Sequence, residues 1–228
     1  MPAKNIVKTY VEGGYYHLYN RGVNKRKIFF DDQDYRYFLF FLKSYLQPET
    51  KPEEGEPVAE KSRFESIAKE IQLLAYCLMP NHFHLLVKQF PSEGITKLAR
   101  RVFTAYVRYF NERYQRQGGL FQGNYKAVLV DSEDQLLHLS RYLHLNPLDK
   151  VGGNVKKLSD YPYSSYPYFL GLKKASWLHP EEILSYFRSD KSLMGNDILS
   201  YQSFVEDFVD DERTTTQIKG LVLEDYLG

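Results

Sequence analysis

Two apolar runs joined by one tight turn constrain this chain most. Ile71–Met79 reads IQLLAYCLM, Pro80-Asn81 follows, and the chain resumes as HFHLLVKQ over His82–Gln89. Apolar runs of strand length joined through a Pro-Asn pair pack as an antiparallel hairpin. Strand side chains alternate between faces, so His82 and His84 point one way and Phe83, Leu85 and Val87 the other. The second set belongs in a core. The first set puts two imidazoles on one face roughly 7 Å apart, within reach of a single metal ion. Two histidines on a half-exposed strand are also commonplace, so the pair alone does not separate a metal site from an ordinary surface.

The flanking chain supplies partners for the hairpin. Residues 14–21, GYYHLYNR, alternate as a strand that Gly22 ends; Tyr15, His17, Tyr19 and Arg21 share one face, Tyr16 and Leu18 the other. Asp31 or Asp32 caps a helix running to about Leu46, with Phe38, Phe41, Leu42 and Tyr45 at helical spacing. Residues 47–62, rich in Pro and Glu, read as a solvated loop, and a short helix is expected over 62–69. Thr96–Gln115 is a long helix pattern burying Leu98, Val102, Ala105, Tyr106, Tyr109 and Phe110, and Gly118-Gly119 stops it. Tyr125–Val130 is a strand, and Ser132 caps a helix, EDQLLHLSRYLHL, that ends before Pro147. Strand, helix, strand, strand, helix, strand is the βαββαβ order of a ferredoxin-like antiparallel sheet, an α+β fold. Its two helices cover one face. The other face carries His82 and His84, with His17 beside them, and the extra helix over 133–146 is available to lie across it. Beyond it, residues 160–172 are Tyr-rich and irregular, Trp177-Leu178-His179-Pro180 opens a helix, and helical segments follow at about 195–210 and 213–227. The expected division is 1–170 for the main domain and 171–228 for a small helical, acidic extension.

Charge points to a partner. The net charge of +1 hides a basic middle, where Lys97, Arg100, Arg101, Arg108, Arg113, Arg116 and Lys126 face only Glu112, and an acidic end beyond residue 181. A basic segment of this kind suits a polyanion, although a solvated helix face explains it as well. The single cysteine, Cys77, excludes an internal disulfide and reads as a small buried residue. The start MPAKNIVKTY has no apolar signal core, and apolar runs such as Phe38–Leu42 are far too short to span a bilayer, so the expectation is a cytoplasmic protein without membrane contact.

On the helix over 133–146, His138, Tyr142 and Asn146 recur every four residues and form one stripe. Laid over the histidine face, that stripe adds an amide oxygen and a phenol to two imidazoles. By residue pattern alone Tyr142 remains one of 20 tyrosines, and His138 and His144 suit packing or surface roles.

Several stretches, in order, resemble the HUH-type tyrosine transposases, the IS200-like family, and within it the REP-associated branch: YHLYNRG (16–22), IFFDDQDYRYFL (28–39), LLAYCLMPNHFHLLVK (73–88), GGLFQGNYKA (118–127), RYLHLNPLDKVG (141–152) and YPYSSY (161–166). They span roughly residues 14–170, and the pairing of MPNHFH with a downstream YLHLNP is the specific part. The resemblance implies single-strand DNA cleavage and rejoining through a 5′-phosphotyrosine, with hairpin-forming repeat DNA as substrate. It implies Tyr142 as nucleophile, and His82, His84 and Asn146 as ligands of a divalent Mg²⁺ or Mn²⁺, with His17 behind them. Lys97, Arg100, Arg101, Arg108 and Lys126 are the candidates for phosphate contacts. Both monomers and homodimers occur among such enzymes. Three other readings stand beside this one, the first a domesticated, inactive relative, against which the intact His82, His84, Tyr142 and Asn146 argue. A non-catalytic single-stranded nucleic-acid-binding module of the same fold would want aromatic residues where the third strand carries histidines. A zinc hydrolase would want a third strong ligand, and no HExxH is present.

Overall fold

The computed structural model describes residues 10–48, 64–187 and 197–207. The loop expected over 47–62 lies mostly outside these, and the helix expected over 213–227 lies wholly outside.

Four strands, β1 (Tyr15–Arg21), β2 (Ile71–Met79), β3 (His82–Gln89) and β4 (Lys126–Val130), form one antiparallel sheet in the order β2-β3-β1-β4. The first and third strands are therefore central neighbours, as the ferredoxin-like expectation requires. The pairing places Arg21 opposite His82 and Tyr19 opposite His84, and Cys77 and Met79 flank the same two histidines from β2. Gly22 ends β1 because the chain turns back on itself there. A Cβ at Gly22 would lie 2.1 Å from the carbonyl oxygen of Arg26, so any larger residue would push the turn apart.

Helix α1 (Asp32–Leu46) and the α2–α3 helix cover one face of the sheet. Asp31, one of the two candidate caps, takes the role by accepting from the Asp34 amide. The second helix departs from expectation. It runs as α2 (Gly94–Leu98), a π-helical turn over Ala99–Phe103, and α3 (Thr104–Arg113). The wider turn rotates the apolar stripe, so Phe103 is buried beside Val102. The helix ends at Arg113, well before Gly118-Gly119, and Gln115 then takes a left-handed φ of 50°. Phe83, Leu85 and Val87 join Tyr16, Leu18, Phe38, Tyr106 and Phe110 in this core. No helix forms over the described part of 62–69. Ser66 Oγ instead bonds the Gln47 carbonyl and accepts from the Ala68 amide, a local pattern that competes with helix.

Helix α4 (Glu133–Leu145) covers the opposite face. Ser132 caps it, and Leu136, Leu139 and Leu143 pack on Leu74 and Leu86. The β2–β3 register shifts between Leu73 and Ala75, which lets Leu73 face the first core while Leu74 and Ala75 face the second. The later chain closes over the sheet. The backbone of Tyr163 and Ser165 bonds Leu78 and Tyr76, which covers the β2 edge. The short helices α5 (Tyr166–Phe169) and α6 (Glu181–Leu184) and the longer α7 (Asp197–Glu206) pack around α4. Trp177 and Leu178 enter the first core, and Ile183, Tyr201 and Val205 the second. Among the described residues no helix is long and apolar enough to cross a membrane.

Candidate active site

β3 carries the two histidines, and α4 roofs them. His82 and His84 are 2% and 0% exposed, so α4 lies across the histidine face, as expected of the helix over 133–146, and closes it. Their rings lie 4.9 Å apart between centroids, close to perpendicular. The Tyr142 ring meets the His84 ring edge-on at 5.5 Å, and Asn146 Oδ1 lies 3.3 Å from His82 Nε2. The stripe with period four therefore splits: Tyr142 and Asn146 reach the histidines, while His138 turns to Arg141 and to the Phe204 ring.

Hydrogen bonds set which ring nitrogen of His82 carries the proton. Asn81 donates its Nδ2 to the Lys25 carbonyl, which aims its Oδ1 at His82 Nδ1, 2.7 Å away. An amide oxygen only accepts, so the proton belongs on Nδ1 and a lone pair on Nε2. Asn146 is oriented in the same manner: its Nδ2 donates to the Tyr142 carbonyl, leaving Oδ1 toward His82. Two acceptors thus face one another across 3.3 Å. His84 is held from behind as well, its Nδ1 lying 2.8 Å from His17 Nε2 with the rings stacked, which leaves Nε2 as the ring nitrogen turned away from His17.

Burial pulls His82 down to about 4, the Asn146 contact opposing the shift and the charges of Arg21 and Lys150 adding to it. Burial likewise holds His84 well below the ordinary imidazole range, reinforced by His82 and His17. Both rings are neutral at pH 7, the form that binds metals. Two neutral imidazoles and an amide oxygen suit Mn²⁺ and accept Mg²⁺. Among the described residues no three His, Cys, Asp or Glu side chains draw together as a metal site; the further oxygen beside His82 Nε2 is Asn146 Oδ1.

The roof is clamped from the far side of α4. His144, 0% exposed, bonds Tyr201 of α7 through Nδ1 and Ser165 through Nε2, each at 2.8 Å. Ser165 Oγ in turn accepts from the Tyr76 amide of β2. Tyr142 and Asn146 flank this clamp in sequence, so their height above the sheet depends on it.

A family model described as "Transposase IS200 like" matches residues 10–146, more than half of the chain. The chain belongs to the IS200-like transposase family. Among curated proteins none matches it. Of solved structures, one of a REP-associated tyrosine transposase bound to a REP hairpin is similar at 17% identity and a TM-score of 0.49, covering 75% of this chain and 88% of that one. A Deinococcus radiodurans R1 protein assigned as a transposase is similar at 16% identity and a TM-score of 0.37, covering 61% of this chain and 95% of that one. The assignment to the family rests on the sequence model alone.

The basic residues of this transposase-family chain fall into two groups. Lys97 pairs with Glu70 at 2.5 Å and Arg101 with Glu65 at 2.6 Å, so both brace the fold locally. Arg100 and Arg108 are exposed, as is Lys126 at the start of β4. The tyrosines of 161–168 serve packing: Tyr161 is buried and donates to the Leu78 carbonyl, and buried Tyr166 donates to Glu206. Sequence reasoning missed Asn81, Lys150, Ser165 and Tyr201. Asn81 had a visible signal, since the turn residue directly before a ligand histidine is well placed to hold it. Ser165 and Tyr201 are brought in from distant stretches and had none.

Proposed function

We propose that the protein cleaves single-stranded DNA and rejoins it by a metal-dependent transesterification with Tyr142 as nucleophile, acting on hairpin-forming repeats in the cytoplasm. The observation that carries this reading is the approach of His82 Nε2 and Asn146 Oδ1 to 3.3 Å beside Tyr142, with the Asn81 oxygen 2.7 Å from the other ring nitrogen of His82. Facing acceptors repel unless a cation lies between them, and a neutral imidazole oriented through its other nitrogen is a ligand prepared for one. His82, His84 and Asn146 would hold a divalent ion there, which when bound stabilises charge on the phosphoryl oxygens.

The chain's own residues do the rest. The Tyr142 oxygen attacks phosphorus and the bond to the 3′ oxygen breaks, so the upstream fragment leaves with a free 3′-hydroxyl while the 5′ phosphate of the downstream fragment stays esterified to the tyrosine. The phenol loses its proton and the leaving oxygen gains one, so the sum of phosphodiester bonds is conserved and no nucleotide cofactor is required. Arg21 and Lys150, whose charges reach His82, add positive potential where a phosphate would rest. His17 and Asn81 hold the ligand rings, and the His144 clamp holds the nucleophile's helix. The hairpin specificity rests on the sequence resemblance to the REP-associated branch.

The test is a covalent adduct. Labelled single-stranded DNA carrying candidate hairpins, incubated with the protein and Mn²⁺, should yield a protein–DNA species that survives denaturation. Tyr142→Phe should abolish it and retain DNA binding. An adduct that persists in Tyr142→Phe would remove Tyr142 as nucleophile; DNA binding with no adduct under any condition would favour the non-catalytic binding module.

A further inference from the structure

A cavity lies on the helix-covered side of the sheet. It has a volume of about 540 Å³, and Phe103, Phe121 and Tyr125 form much of its wall. Asn20 and Asn124 add polar edges, and Arg100 and Arg108 stand at its rim. Asn20 is on β1 directly opposite Phe83, one residue from the Arg21–His82 pair. The cavity therefore occupies the same end of the sheet as the histidines, on the reverse face.

Three independent observations give this cavity a ligand. First, no acidic residue lines it, and among the described residues neither Arg100 nor Arg108 is paired with a carboxylate, whereas Lys97, Arg101 and Arg113 on the same helix all are. Second, Arg100 and Phe103 belong to the π-helical turn over Ala99–Phe103. Such turns interrupt regular bonding and recur at functional sites. Third, the loop closing the cavity is pinned to the end of β1 next to the histidines: Gln122 bonds the Arg21 backbone and side chain, and the Asn20 amide donates to the Gly123 carbonyl. A wall of aromatic rings with guanidinium groups on the rim is the chemistry that takes a base by stacking and its phosphates by charge.

We propose that this cavity binds one unpaired nucleotide of a single-stranded DNA segment, its base against Phe121 and Tyr125 and its flanking phosphates on Arg100 and Arg108. A strand held there reaches the histidine face around the edge formed by residues 118–126. Lys126, exposed at the start of β4, is on that route. The inference rests on the DNA-processing reading above, but it concerns a separate face and different residues.

Arg100 and Arg108 are exposed, so Arg100→Ala/Arg108→Ala should fold as the parent does. With a fluorescein-labelled mixed-sequence 20-mer of single-stranded DNA, the double variant should bind about tenfold more weakly near physiological salt. Its salt slope should be shallower by about 1.4, the value for two lost phosphate contacts on a single strand. A duplex of the same sequence should show a smaller difference. Independently, the same strand carrying 5-iodouracil should photocrosslink to the tryptic peptide spanning 117–126, which contains Phe121 and Tyr125. Unchanged affinity and slope in the double variant, or crosslinks confined to peptides carrying His82, His84 or Tyr142, would overturn the proposal. If the Tyr142 adduct still forms in that case, the DNA-cleavage reading survives without it. If the unaltered protein neither binds the strand nor forms an adduct, both fall.

Discussion

Asn81→Ala tests the tautomer argument on which the metal site depends. Asn81 touches nothing that reacts. Its role is to accept from His82 Nδ1 at 2.7 Å while its own amide is held at 3.3 Å by the Lys25 carbonyl. Without that acceptor the His82 ring has no reason to keep its proton on Nδ1. The lone pair on Nε2 is then shared with a tautomer that cannot ligate, and Asn146 Oδ1 at 3.3 Å would welcome the misplaced proton as a hydrogen bond. Loss of such a supporting contact weakens metal binding by about 10- to 100-fold, or about 1.4–2.7 kcal/mol. The fold should barely notice, because Asn81 is in a half-buried turn and each neutral hydrogen bond is worth about 1 kcal/mol net. The assay is titration with Mn²⁺ at pH 7, read by the paramagnetic resonance of free ion, alongside urea denaturation of the same variant. Asn81→Asp supplies a stronger acceptor to Nδ1 and should keep the affinity that Asn81→Ala loses. Equal Mn²⁺ affinity in Asn81→Ala and the parent would refute the reasoning, as would ¹⁵N shifts placing the His82 proton on Nε2.

Three further outcomes follow from other parts of the molecule. Asp34, 0% exposed, accepts from Arg113 at 2.7 Å, Tyr109 at 3.0 Å, Tyr114 at 2.9 Å and the Phe30 amide at 2.7 Å, so Asp34→Ala leaves the two phenols and the amide without their acceptor while Asp31 still holds Arg113, and should cost about 1–3 kcal/mol by urea denaturation. Phe83→Ala empties the space between Phe38, at 5.2 Å, and Phe103, at 4.8 Å, and should lose about 3–5 kcal/mol in the same assay. Burial lowers His144 to about 3 from an ordinary 6.5, so below 6.5 the unfolded chain gains a proton that the folded chain refuses. Its contribution to stability is complete above pH 6.5 and erodes by up to about 1.4 kcal/mol per pH unit as pH falls toward 3. The stability gap between the parent and His144→Leu should therefore be narrower at pH 5 than at pH 7, and an equal gap at both would contradict a neutral buried ring.

Period-two alternation is a local property of the backbone, and what depends on it could be read from the residues. The opposed faces of Phe83 and His84, the β2–β3 pairing through Pro80-Asn81 and the Ser132 cap all follow from spacing within a few residues, whereas the order of the strands came with the βαββαβ arrangement. The π-helical turn over Ala99–Phe103 could not be read, because apolar spacing in Leu98, Val102, Tyr106 and Phe110 fits an unbroken helix equally well; only packing against the sheet brings Phe103 inward. That the helix over 133–146 could cover the histidines was legible, but what fastens it there was not, for a related reason. Alternation says which face a side chain takes but not what lies above that face, and the cover here is decided by contacts between distant stretches: His144 to Ser165 and Tyr201, Ser165 to Tyr76, and Leu136, Leu139 and Leu143 on Leu74 and Leu86. The same contacts explain why the segment after residue 171 bears on the site. α7 never approaches His82 or His84 through a described contact, yet its Tyr201 holds the helix that carries Tyr142 and Asn146. A chain shortened before Tyr201 would keep every proposed ligand and the nucleophile while losing one of the two side-chain bonds that His144 makes to fix their helix above the sheet.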